Sequence, residues 1–80
     1  MYSSKAEEIF GNVVKRHRQQ LKLSQEKLAE SADLHRTYIS QIERGLKSPS
    51  LKALLQIANA LNTKAHLLLQ EMESELYEPN

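Results

Sequence analysis

Between Ser24 and Gly45 the stretch SQEKLAESADLHRTYISQIERG holds two short segments of helical apolar spacing that meet at Ala32-Asp33-Leu34. Ser24 is a good N-cap, so the first predicted helix runs from Gln25 to about Ala32. The second opens at Leu34 or His35 and ends at Gly45, where glycine can supply a left-handed C-terminal residue. So short a connection makes demands that few sequences meet together. The first helix must offer a small side chain at the crossing, and Ala29 does. The turn must tolerate positive φ, and Asp33 is among the few non-glycine types that do so at modest cost. Leu28, Leu34, Ile39 and Ile42 then point inward and fix the crossing angle.

These are the length and chemistry of a helix-turn-helix. Around it, Phe10, Val13, Val14, His17 and Leu21 recur at helical spacing and predict a first helix over roughly Lys5 to Leu21. Gly11 lies inside it at a cost of about 1 kcal/mol relative to Ala. After Gly45 the turn LKSPS forbids continued helix at Pro49, and Ser50 caps a fourth helix whose stripe reads Leu51, Leu54, Leu55, Ala58 and Leu61. Asn62 ends it. Thr63 is expected to cap a fifth helix carrying Ala65, Leu68, Leu69 and Met72. No strand pattern or repeat is present, and 80 residues leave room for one domain, residues 1–80. Its core is expected over about 5–72, with an acidic tail, 73–80, that frays.

With Ile39 and Ile42 facing the core, the opposite face of the third helix carries Arg36, Thr37, Ser40 and Gln41. Arg and Gln near an exposed helix N-terminus suit the major groove, where each can form paired bonds to a base edge. Charge agrees once it is divided along the chain. From Val14 to Lys52 nine lysines and arginines face four carboxylates, a balance of +5; from Ala53 onward Lys64 stands against four glutamates, a balance of −3. Clustered cations gain affinity for a polyanion by releasing its counterions. Arg44, Lys47, Ser48 and Lys52 follow the third helix and are placed to grip phosphates. Tyr38 is equally open to a DNA contact and to packing.

The run LSQEKLAESADLHRTYISQIERGLKSPSLKALLQIANALN, Leu23 to Asn62, resembles the Cro and phage-repressor-like helix-turn-helix family. Its segment LHRTYIS…IERG is similar, more narrowly, to the controller proteins of restriction-modification systems, small dimeric regulators that bind their own promoter region. The resemblance implies an all-α, compact five-helix, lambda-repressor-like DNA-binding domain with the helix-turn-helix in helices 2 and 3. It implies a transcriptional regulator that binds double-stranded DNA at a palindromic operator. It pairs Arg18 with Glu43, which accords with the cost of an unpaired Glu near the negative end of a helix. It also places Gln25 on the DNA backbone, where free N–H groups at a helix start suit a phosphate, and gives Lys47 a base contact as well. Glycine is common in the family where Lys22 and Asp33 stand, so the end of the first helix is expected to be looser or differently shaped.

Leu67 and Ile57 fall off the apolar stripes of their helices, and the expectation is a two-fold homodimer interface built on them. His17, His35 and His66 lie far apart without cysteine or paired carboxylates, so no metal site is expected, nor any cofactor. His17 belongs to a core edge and His35 flanks or caps the third helix. Two glycines cannot build a phosphate-cradling loop and no nucleophile–base pair is present, so an enzyme is not expected. The N-terminus lacks the pattern of a signal peptide and no apolar run reaches a membrane span, which points to the cytoplasm. The alternative reading is a phage-type repressor or antitoxin-like module that holds a partner protein. RNA polymerase and a toxin-like protein remain open as partners.

Overall fold

The computed structural model describes residues 3–77, and four of its five helices end in one repeated way. The five are α1 (Ser3–Gln20), α2 (Gln25–Ala32), α3 (Arg36–Glu43), α4 (Leu51–Ala60) and α5 (Ala65–Leu76). Each of the first four closes through a residue of positive φ: Lys22 at 59°, Asp33 at 58°, Gly45 at 75° and Asn62 at 59°. In each case the next N–H reaches back five residues, as in Leu23 to Arg18 O at 3.0 Å and Leu34 to Ala29 O at 2.9 Å. These are Schellman ends, which satisfy the last carbonyls and turn the chain sharply. The end of α1 therefore has the regular shape a glycine would give it, not a looser one. Lys22 adopts that shape at a steric cost.

Starts are set as locally as ends. Ser24 Oγ accepts from the Lys27 N–H at 3.0 Å, and Ser50 Oγ from the Ala53 N–H at 3.1 Å. His35 caps α3, its Nδ1 accepting from the Thr37 N–H at 3.2 Å. For α5 the cap residue is Lys64, with no side-chain bond, so the expected Thr63 cap is not formed. The helix also runs through Leu76, four residues into the segment expected to fray; residues 78–80, with Pro79, lie outside the described residues.

The core joins Phe10, Val13 and Val14 of α1 to Leu28 and Ala29 of α2 and Ile39 and Ile42 of α3. Leu54, Ile57, Ala58 and Leu61 from the α4 segment and Leu68 of α5 complete it. Two expectations fail here. Ile57, expected at a dimer interface, is wholly buried, while Leu51 and Leu55, expected in the core, are 81% and 62% exposed. α4 is apolar around most of its girth, so a helical period fits more than one rotational setting. The setting adopted turns the small Ala53 and Ala58 inward together with Ile57. Leu21, at the end of α1, is also more exposed than its place in the stripe implied.

Candidate nucleic-acid interface

α3 is divided lengthwise. Ile39 and Ile42 are fully buried, whereas Arg36 and Thr37 are exposed and Ser40 and Gln41 half-buried beside them. The same eight residues therefore anchor the helix and present a polar edge. The edge is held in place from below by Glu43, whose side chain is 2% exposed. Arg18 Nε donates to Glu43 Oε2 at 2.6 Å and Arg18 Nη2 to Oε1 at 3.0 Å, a two-pronged bond from α1. Arg18 Nη1 also donates to Leu23 O at 2.8 Å, so one guanidinium ties the end of α1 to α3. A planar fork of donors suits this task, and lysine could not replace it.

Gln25 completes the cluster, its Nε2 donating to Glu43 Oε1 at 3.0 Å. One of its two amide protons is committed to Glu43, which leaves the other for an outside acceptor at the start of α2. Sequence reasoning placed Gln25 at the DNA backbone but did not see this tie to Glu43, eighteen residues away.

Gly11 explains how α1 comes so close to α3. A Cβ on it would lie 2.3 Å from Ile42 O and 2.7 Å from Glu43 O, well inside contact distance. The glycine read from sequence as a helix-weakening residue is thus what lets the backbones touch.

After α3 the loop turns at Gly45 and carries its cations outward. Arg44, Lys47 and Lys52 are exposed, as is Ser48. Among the described residues no ion pair engages Arg36, Arg44, Lys47 or Lys52. Lys47 Nζ sits 5.9 Å from the centre of the Tyr38 ring, and Tyr38 Oη accepts from the Ser50 N–H at 3.2 Å. Tyr38 packs against the core and braces the loop, the packing side of its two readings. Ser48 is not free: its Oγ donates to Glu7 Oε2 at 2.8 Å.

Between α1 and α5, by contrast, basic side chains meet glutamates. Arg16 pairs with Glu71 and Glu75, and His17 Nε2 lies 2.6 Å from Glu71 Oε2. Bonding to Glu75 raises the Arg16 guanidinium further above its already high value. For Glu71, burial pushes the carboxyl up, but the bonds and charges of His17 and Arg16 outweigh it and hold the group below the ordinary glutamate range. Arg36, Arg44, Lys47 and Lys52 stay outside such pairs, as do Lys5, Lys15, Lys22 and Lys64 elsewhere on the described surface. No group of residues able to hold a metal ion, and no helix long and apolar enough to cross a membrane, is found among the described residues.

A buried helix pair, a polar edge on the second helix and unpaired cations beyond it define a helix-turn-helix DNA-binding regulator. The helix-turn-helix family profile matches residues 14–68, and the chain belongs to that family. Its relatives within the family include restriction-modification controllers. The chain is 45% identical over 62 residues to control protein C.SmaI of Serratia marcescens, covering 78% of this chain and 74% of that one. It is 47% identical over 62 residues to control protein C.BamHI of Bacillus amyloliquefaciens, covering 76% of each. The crystal structure of the controller protein C.AhdI from Aeromonas hydrophila superposes with a TM-score of 0.76 at 35% identity, over 78% of this chain and 94% of that one.

Proposed function

We propose that the chain is a homodimeric, non-catalytic transcription regulator of the restriction-modification controller type, acting in the cytoplasm on a palindromic operator in its own promoter region. The observation that carries this reading is the division of α3, with Ile39 and Ile42 sealed in the core and Arg36, Thr37, Ser40 and Gln41 left at the surface. Lying in the major groove, Arg36 reaches guanine O6 and N7 and Gln41 the adenine edge, while Thr37 and Ser40 bond either base type. Gln25, Arg44, Lys47 and Lys52 hold phosphates, which sets register but not sequence.

A single α3 reads only a few base pairs, so a palindrome needs two. Besides Leu21, Leu46 and Tyr77, the large apolar residues left outside are Leu51 and Leu55, one turn apart on α4, and Leu67 on α5, which is 41% exposed. Leu55 replaces Ile57 as the α4 contribution to a two-fold interface, with Leu67 retained. Such a dimer sets two copies of α3 about one DNA turn apart.

The test is selection of bound duplexes from random-sequence DNA at two salt concentrations, followed by sequencing. An enriched palindrome with half-sites about one turn apart supports the reading. Salt-sensitive binding without any enriched motif would reduce the surface to a general polyanion site and overturn it.

A further inference from the structure

Ser48 stands among cations placed to grip DNA, yet its hydroxyl proton is already in use. Its Oγ donates to Glu7 Oε2 at 2.8 Å, joining the loop after α3 to the first turns of α1 across 41 residues of sequence. A serine hydroxyl has one proton to give, and a DNA phosphate offers only acceptors. Ser48 therefore cannot serve Glu7 and a phosphate together. A phosphate brought to that hydroxyl would also meet the Glu7 carboxylate at close range, a repulsive approach.

The surroundings show a contact built to hold. Glu7 is half-buried and lines, with Ala6, Phe10, Pro49, Leu54 and Met72, a largely apolar groove of about 260 Å³, at whose exposed rim the bond to Ser48 is made. One turn of loop earlier, Gly45 runs so close that a Cβ on it would lie 3.0 Å from Glu8 Cα. The far side of the loop is braced on α3 by the Tyr38 Oη to Ser50 N–H bond and by Lys47 over the Tyr38 ring.

We infer that Glu7 and Ser48 form a clasp between α1 and the loop, positioning residues that hold the unpaired cation Lys47 at the DNA, and that Ser48 is not itself a phosphate donor. This withdraws Ser48 from the contacts expected from sequence and adds Glu7, which sequence reasoning did not single out. It rests on the DNA-binding reading for its consequence, not for the clasp itself.

The experiment is a double-mutant cycle of Glu7→Ala and Ser48→Ala, read in affinity for a short mixed-sequence duplex and in amide hydrogen exchange of residues 46–50. Ser48→Ala in the natural background should weaken binding roughly three- to tenfold and speed loop exchange. In the Glu7→Ala background it should do neither, because the bond is already gone; Ser48→Thr, which keeps the hydroxyl, should restore both. The direct effect of removing the Glu7 charge cancels in this comparison. Equal loss of affinity from Ser48→Ala in both backgrounds would make Ser48 a phosphate contact and overturn the clasp. Should the natural protein bind no duplex at all, the DNA reading falls, and exchange alone decides: faster loop exchange in both single variants keeps the clasp, and unchanged exchange removes it.

Discussion

Arg36 and Lys52 are both exposed cations without an ion-pair partner among the described residues, and the difference between them lies in what each can reach. Arg36 opens the helix whose polar edge is proposed to face the bases; Lys52 follows the cap of α4, where the chain has left that helix. Arg36→Ala should weaken binding to the selected operator by about 1–3 kcal/mol and relax discrimination at one base position. Lys52→Ala should weaken binding to every duplex alike and flatten the dependence of affinity on salt by about one unit of slope. Anisotropy titrations on operator and mixed-sequence DNA at several salt concentrations separate the two; equal loss on both DNAs for Arg36→Ala would remove its reading role. The exposure of Arg36 beside the buried Ile39 and Ile42 was legible in the sequence because it depends on which face of one short helix is apolar. Gly11 was not, since a glycine needed for backbone contact with α3 and one that merely weakens a helix look the same from within α1.

Helix ends were the most legible elements and helix faces the least. Ser24, Asp33, Gly45, Ser50 and Asn62 act on their own neighbours, so caps and left-handed turns could be placed from local chemistry. The facing side of α4 is chosen by α2 and α5, and its abundance of apolar residues hides that choice. Lys22 shows how far a local end can depart from the ideal residue: it holds φ at 59°, where a side chain costs about 1–2 kcal/mol. Lys22→Gly should raise stability by about 0.5–1 kcal/mol, less than the full relief because glycine also enlarges the unfolded ensemble. Thermal melting reads this directly, and an unchanged or lower Tm would show that Lys22 bears no strain. The α1–α5 contact was hidden for another reason, its partners lying more than fifty residues apart. Glu71 is held below its unfolded pKa by His17 and Arg16, so its contribution is present above the unfolded value and disappears as pH falls through the folded one. Between roughly pH 5 and pH 3 the natural protein should lose Tm more steeply than Glu71→Gln. The carboxylate is partly solvated, which limits the difference to about a few degrees. Identical acid melting profiles would show that the pair does not couple folding to pH.

At the scale of the whole molecule, Arg36, Arg44, Lys47 and Lys52 stand outside ion pairs around α3 and the start of α4, Arg16 and His17 are bound to glutamates of α5, and a further surface exposes leucines. Leu55 at 62% exposure decides what that surface is for, because the core already holds Ile57, Ala58 and Leu61 from the same segment and needs nothing more from this face. A lone exposed leucine needs no explanation, but Leu51 and Leu55 stand one turn apart on one helix, with Leu67 exposed on the next. Leu55→Glu should leave the fold intact, since the side chain is outside the core, and convert the proposed dimer to a monomer by placing two carboxylates near its two-fold axis. Sedimentation equilibrium measures the mass, and thermal melting at matched low concentration checks the fold. The consequence for DNA follows from geometry: a monomer offers one α3, so affinity for the palindrome should fall to that of a half-site while discrimination within the half-site, set by Arg36 and its neighbours, remains. A Leu55→Glu protein that keeps the natural mass would move the interface elsewhere. One that turns monomeric yet binds the palindrome undiminished would separate assembly from recognition.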